Sequence, residues 1–436
     1  MIYDCFTFFD ELDLLELRLQ ILDPVVDRFV LCEAPFTFRG KPKPLYFAES
    51  QSRFARWNHK ITALVYPGPV AGDPWANEWG QRDHLALGLR ECDPDDLILL
   101  SDCDEIPDPA RAAARPSSKR VLGHRHRYAV GYVNRIAPHP WVGTRALPWR
   151  NLGFFRTLRT LRMLSTEAID VIDSGWHFSH LGGAAAIENK MKSFSHSEFD
   201  LPYYTDRRRI EVEFGSDLDV AFVPIDAGYP EPLRDGRYPQ FVWNGPVITD
   251  PALSRALQHV HGCFAYVPQD ARRVVAVSAE PDLWERVGKE RFGPVFYGAV
   301  TTLHDDVAPY SWIVLDGFER MDAPTLAALR RGDLGVVAFV RNARSFAQFD
   351  ELLGGKAVAP GRAVGITEIR AWAQHAQRTF ASTDRLHDPN VYAPWTHMPE
   401  VVANVQLGTW ARFAQAGRDA LADFLARAFV VRLAPE

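Results

Sequence analysis

The chain has 436 residues, 47% of them hydrophobic, 12% aromatic and 24% charged, with a formal net charge of −6. This is a globular composition with core material for two or three domains, and it excludes a disordered chain. The mild acidic balance, with no basic tract, argues against a nucleic-acid partner, and no apolar run reaches the ~18 residues of a membrane span. The five cysteines (Cys5, Cys32, Cys92, Cys103 and Cys263) have no C-x-x-C spacing. Reduced thiols in a cytoplasmic protein are expected, rather than a disulfide framework or a thiolate zinc site. Met1–Cys5 enters an apolar pattern with no basic segment before it, so no signal peptide is expected.

The first half alternates strands and helices. Ile2–Phe9 reads as a strand, and Glu11–Leu22 as a helix with Leu12, Leu15, Leu19 and Leu22 at helical spacing and Asp10 as N-cap. Strands follow at Val25–Leu31, which runs on to Glu33, and at Ile61–Val65. Trp75–Leu89 is predicted helical and Leu97–Leu100 is a fourth strand. Such alternation implies a largely parallel, doubly wound α/β sheet. Residues 120–180 are richer in strand signals, at Arg120–Arg135 and Val171–Ser179, before Gly182-Gly183 opens a helix over Ala184–Phe194.

Residues 226–250 are rich in Pro, Gly and Asp and read as a linker or wrapping segment. A second α/β unit starts near residue 252. Its predicted strands are Val274–Ser278, Val295–Val300, Ser311–Leu315, Leu334–Val340 and Phe429–Leu433, and its helices include Glu368–Gln377 and Leu421–Ala426. The expected division is therefore a domain over 1–235, a linker over 236–251 and a second, Rossmann-like domain over 252–436.

The chemistry concentrates where Leu97–Leu100 runs into Ser101-Asp102-Cys103-Asp104-Glu105-Ile106-Pro107. Two carboxylates two residues apart at the end of a buried strand can share a divalent cation, at the sheet edge where α/β folds bind ligands. Open positions on that cation suit diphosphate oxygens, which points to a nucleotide diphosphate. Asp104 is the expected direct ligand, with Asp102 reaching ribose or metal. Asn77, Gln81 and Arg82 fall on neighbouring turns of one helix, and a guanidinium there suits either phosphate or an internal ion pair. Glu33 ends its strand at the same edge, as a nucleotide contact or a helix cap. His177 and His180 lie in a strand-like segment, where alternation sends them to opposite faces and leaves one to coordinate metal. Of two lysines past the Gly-Gly turn, Lys192 is assigned to the departing diphosphate and Lys190 to a solvated helix face.

Six motifs in order, Tyr3–Glu16, Glu33-Ala34 with Thr37–Leu45, Trp75–Glu78 with Gln81-Arg82, Ser101–Pro107, Gly175–Gly183 and Lys192–Glu198, resemble glycosyltransferase family 17 over the first ~235 residues. Asp10 stands where relatives carry Asn. The resemblance, which extends to many bacterial proteins, implies a GT-A-like doubly wound mixed sheet and a UDP-sugar donor, with N-acetylglucosamine as the sugar. It further implies inverting transfer to a glycan or glycolipid acceptor, aided by Mn²⁺ or Mg²⁺. It implies donor contacts from Asp102, Glu33, Arg82, Asn77 and Lys192, and metal ligation by Asp102, Asp104 and His177. An inverting reaction needs a carboxylate base. The candidates are Glu105, Asp173, Glu188 and Glu198, of which Glu105 and Glu198 are carried forward.

The second half resembles a class I methyltransferase. Val274–Pro281 is similar to its second strand with the ribose-binding acid at Glu280, Pro309–Met321 to the fourth, Gly332–Asn342 to the fifth and Arg427–Arg432 to the last. The region matching the glycine-rich cofactor turn, Val260–Tyr266, keeps only Gly262. A degenerate module for contacts, homodimerisation or acceptor capture is therefore expected. The alternatives are an S-adenosylmethionine-dependent methyltransferase acting on a glycan, and a non-catalytic glycan-binding protein.

Overall fold

The computed structural model describes residues 1–153, 155, 158, 169–196, 199–301, 312–317, 335–341, 380–387 and 426–433. The chain divides into two compact units, one of Met1–Asp200 with Ile210–Ser254, the other of Leu201–Arg209 with Arg255–Glu436.

The first unit is built on a ten-stranded mixed sheet. Its parallel part comprises β1 (Ile2–Thr7), β2 (Arg28–Glu33), β3 (Ile61–Val65) and β4 (Leu97–Asp102), in the order β4-β1-β2-β3. The direction of winding reverses between β1 and β4, so their carboxyl ends, Thr7 opposite Asp102, flank a topological switch point. The continuous apolar run of β4 follows from its central place between β1 and an antiparallel neighbour, β8 (Trp141–Pro148). Leu97 and Leu99 pack on one face with Phe6, Leu15 and Leu19, while Ile98 and Leu100 pack on the other with Cys5, Leu85 and Leu89.

The β-rich stretch adds β5 (Glu105–Ile106), β6 (Leu122–Val130), β7 (Arg135–Ile136) and β9 (Asp170–Ser179), with β10 (Ala221–Phe222) at the edge. Strand β9 pairs with both β5 and β6, and puts His177 opposite Glu105. Close approach there needs Gly175, at φ +75, because a Cβ would lie 2.1 Å from the Ile106 carbonyl oxygen.

Helix α1 (Leu12–Leu22) starts one residue later than expected. Glu11, not Asp10, is its N-cap, and the Glu11 carboxylate accepts from the amides of Phe9 and Asp10. The Trp75–Leu89 expectation resolves into α3 (Pro74–His84), capped by Asp73 with Pro74 in its first turn, and a 3₁₀ segment over Leu85–Leu89. A short helix, α2 (Tyr46–Glu49), precedes it. Within residues 236–251, Tyr238 and Phe241 are buried in the core of the first unit.

The second unit carries a six-stranded sheet in the order β12-β11-β13-β14-β16-β15. Its strands are β11 (Val274–Val277), β12 (Phe296–Val300), β13 (Trp312–Asp316), β14 (Gly335–Arg341), β15 (Phe380–His387) and β16 (Ala426–Leu433). Strands β11 to β14 are parallel, and β16 runs antiparallel to both neighbours. Residues 260–264, expected as a turn after a first strand, lie inside a helix, Pro251–Phe264. The turn that follows β11, beside the reversal between β11 and β13, is Ser278-Ala279-Glu280-Pro281, without glycine. Asp316 at the end of β13 accepts from Ser278 Oγ at 2.9 Å and stands 3.0 Å from His259 Nε2. The helix expected at Glu368–Gln377, and most of that at Leu421–Ala426, lie outside the described residues.

Candidate active site

The D-x-D turn is held from beneath by Arg18, a wholly buried cation on the core face of α1. Its Nε and Nη2 engage both oxygens of Asp4 at 2.8 and 2.6 Å. Nη1 donates to the carbonyls of Asp102, Cys103 and Glu105 at 3.1, 3.1 and 2.7 Å, and Nη2 also reaches Ser101 Oγ. One guanidinium thus fixes the backbone of the whole turn, since its planar fork presents five donors.

Above the turn lies a cavity of about 300 Å³ at the switch point of the sheet. Among its lining residues are Arg82, Asp102, Asp104, His177, His180 and Lys190. A chain of polar contacts runs along it. Ser195 Oγ donates to Glu78 at 2.5 Å, and Glu78 and Asp102 both pair with Arg82 Nη2, at 2.9 and 2.8 Å. Arg82 is 2% exposed, and its Nε and Nη1 have no hydrogen-bond partner among the described residues. Burial alone would lower its pKa, but Asp102 and Glu78 raise it, so Arg82 keeps its charge. Two buried, charged N–H groups without acceptors beside a cavity favour an anionic ligand.

Asp104 is the second pole. Its Oδ1 lies 3.4 Å from His177 Nε2, and its Oδ2 accepts from Lys190 Nζ at 3.2 Å. Burial alone would raise the Asp104 carboxyl, yet Lys190 and His177 hold it well below the usual carboxylate range. The His177 ring is fixed between Tyr128 and Trp141, with centroids at 4.8 and 4.9 Å. At the other end of the cavity Trp75 meets His196 edge-on at 5.0 Å, with Phe194 at 5.4 Å from the same ring.

The sequence-predicted residues therefore separate. Arg82, Asp102, Asp104 and His177 come together around one cavity. Glu105 is fully buried, with Oε2 accepting from the Asp102 amide and Oε1 from Trp141 Nε1. Both its oxygens brace the turn, so it has none to offer an acceptor. Glu33 accepts from the amides of Phe47 and Ala48 at the start of α2, which is the capping alternative. Asn77 spends its amide on Phe38 and Ala71 and ties a loop down. Lys192 pairs with Glu188 and is 44% exposed, whereas Lys190 is the lysine on Asp104. Asp173 pairs with Arg125 at the surface. Glu198 lies outside the described residues.

The expectation that His177 and His180 face opposite ways fails. Strand β9 ends at Ser179, and His180 takes φ +59, so alternation stops and both imidazoles line the same cavity. Burial pushes His180 down to about 3, so it is neutral at ordinary pH.

Protein donors for a divalent cation are few. Asp104 Oδ1 and His177 Nε2 converge, and a carboxylate with an imidazole suits Mn²⁺. Asp102, expected as a further ligand, has Oδ1 on Arg82. Among the described residues no three His, Cys, Asp or Glu side chains form a metal cluster. Two convergent donors fit a cation whose other positions are completed by substrate phosphates and water.

Comparison with known proteins bears on this same region. Residues 1–115 match the model of glycosyltransferase family 17. Over these residues the chain is similar to that family. Over 106 residues the chain is 37% identical to human beta-1,4-mannosyl-glycoprotein 4-beta-N-acetylglucosaminyltransferase, and equally to the rat protein of that name. Each alignment takes in 22% of this chain and 20% of the relative, so the chain spans about a fifth of the length of the curated relatives it matches. Among solved structures, the inositol-1-phosphate CTP transferase from T. maritima aligns with 42% of this chain and 85% of its own. At 11% identity and a TM-score of 0.23, that likeness carries no argument. The matched segment contains α1 with Arg18, α3 with Arg82 and the D-x-D turn; His177 and Lys190 lie beyond it.

Proposed function

We propose that the first unit transfers N-acetylglucosamine from UDP-N-acetylglucosamine to a hydroxyl of a glycan or glycolipid, with inversion. The observation that carries this reading is Arg82: a buried guanidinium with two N–H groups unpartnered among the described residues, beside paired acids, at the switch point of the sheet, in a chain whose residues 1–115 match the family 17 model. The aromatic end, with Trp75, Phe194 and His196, offers ring faces to the base. Arg82 and Lys190 supply positive charge where the diphosphate gathers negative charge as it leaves, the larger part of electrostatic catalysis in such a transfer. Asp104 and His177 would hold Mn²⁺ or Mg²⁺, which when bound supplies further positive charge to the diphosphate. Asp102 keeps Arg82 charged and oriented. Tyr128 and Trp141 fix the His177 ring.

Titration calorimetry of the full chain with UDP and UDP-N-acetylglucosamine, with and without Mn²⁺, tests the reading. Wild type should bind both more tightly with the cation. Arg82→Met should weaken UDP at least tenfold while the melting midpoint shows the protein folded. A wild-type protein indifferent to UDP under all these conditions would remove the transferase reading and favour a glycan-binding protein.

A further inference from the structure

A second cavity, of about 320 Å³, adjoins the first. Among the described residues the two share Glu11, His180 and Lys190 in their linings. The shared residues form the wall between a space where the donor diphosphate has its partners and one that so far has no role. The second cavity is acid-lined, by Asp10, Glu11 and Asp13, with Arg53 and Phe178 alongside. Carboxylates and a guanidinium around a modest space, with one aromatic face, are partners suited to the hydroxyls and the apolar face of a sugar ring.

Of the described carboxylates lining either cavity, Glu11 is the one that lines both. Glu78, Asp102 and Asp104 belong to the first, Asp10 and Asp13 to the second. Glu11 is also oriented. Its Oε2 accepts from the amides of Phe9 and Asp10, at 3.3 and 3.2 Å, and among the described residues its Oε1 carries no hydrogen bond. Asp10 is occupied otherwise, accepting from Asn189 Nδ2 at 2.6 Å, and Asp13 pairs with Arg53. His180, with Nδ1 buried and unpartnered, stands at the same wall.

We propose that the second cavity is the acceptor subsite, taking a hydroxyl-bearing sugar, and that Glu11 is the catalytic base of the transfer. This rests on the donor reading given above. In the step, Glu11 Oε1 takes the proton of the acceptor hydroxyl while the acceptor oxygen bonds to the anomeric carbon. The bond from that carbon to the diphosphate oxygen breaks, and its electron pair leaves with UDP beside Arg82 and Lys190. The proton on Glu11 then passes to water, and no other reactant is consumed.

The test reads UDP release from UDP-N-acetylglucosamine and Mn²⁺ by the full chain. Water alone is compared with the methyl glycosides of mannose, galactose, glucose and N-acetylglucosamine, and with a biantennary N-glycan. Release to water or to a sugar reports the same base. Glu11→Gln should lower it about 100-fold or more while UDP affinity stays within threefold. Glu11→Asp should restore part of the rate. Ala186→Trp, on the exposed face of helix Gly183–Met191, fills the second cavity from a position that does not line the first. It should abolish stimulation of UDP release by sugars and leave UDP affinity intact. Tight UDP binding combined with a Glu11→Gln rate within fivefold of wild type overturns the assignment of the base. Sugar stimulation undiminished in Ala186→Trp overturns the subsite. Absence of UDP binding by wild type removes the donor reading and this inference together, so the two failures are told apart.

Discussion

Arg18 shows how a single residue can set a site whose cavity it does not line. It is buried with Asp4 and spans three carbonyls of the D-x-D turn. Arg18→Met should cost about 3–5 kcal/mol, since it strands the Asp4 charge in the core. In urea unfolding the double variant Arg18→Met/Asp4→Leu should recover much of that loss, but UDP binding should stay weak because the turn has lost its clamp. Full stability of the single variant would refute this account. The signal was present in the sequence, as an Asp in an apolar strand and an Arg within a leucine-rich helix, but each alone reads as a surface charge. Lys190 and Lys192 show the opposite limit. Residues two apart on a helix point away from each other, so one lysine alone can face the acids. Which one does so depends on the rotation of the helix against β9, which composition does not encode.

At the scale of elements, buried histidines in β6 make the first unit sensitive to acid. Burial pushes His124 down to about 4, and among the described residues both its ring nitrogens are without partners. Burial, then the neighbouring His124, also holds His126 well below the usual range. The unfolded chain takes up protons near the ordinary value of 6.5 that the folded chain refuses. Stability is therefore whole above pH 6.5 and is lost as pH falls towards 4. Melting midpoints measured from pH 7 to 4.5 should drop in wild type, and the drop should shrink in His124→Leu. An equal slope in both proteins would exclude His124 as its source. Glu33 belongs to this scale too. Because its carboxylate meets amides at the start of α2, Glu33→Gln should destabilise the chain by about 1 kcal/mol and leave UDP affinity unchanged. A tenfold loss of UDP affinity would restore Glu33 to the donor site. The alternation of β and α that predicted a doubly wound sheet was plain, because parallel strands buried on both faces demand continuous apolar runs.

At the scale of the whole molecule, the two units should respond differently to ligand. Hydrogen exchange of the full chain with UDP and Mn²⁺ should show added protection in peptides covering Thr7–Glu11, Arg82 and Asp102–Asp104. Peptides covering Val274–Val277 and Trp312–Asp316 should be unchanged. S-adenosylmethionine should protect neither set, because the turn after β11 has no glycine and Ser278 and His259 already engage Asp316. Protection of the second unit by that cofactor would bring the methyltransferase alternative forward.

The amino-acid order was enough to define an α/β chain with acids at the end of a buried strand, a helix carrying an arginine suited to phosphate or to an internal ion pair, and a resemblance to family 17. Those features are local, since strand burial, helix period and short motifs are written within a few residues. Tertiary structure alone placed His180 beside His177, turned Glu105 into a brace, put Lys190 on Asp104 and opened a second cavity against Glu11. These relations join residues from 3 to 230 positions apart. They follow from strand order, register and one left-handed residue, which bring together side chains that no local pattern connects.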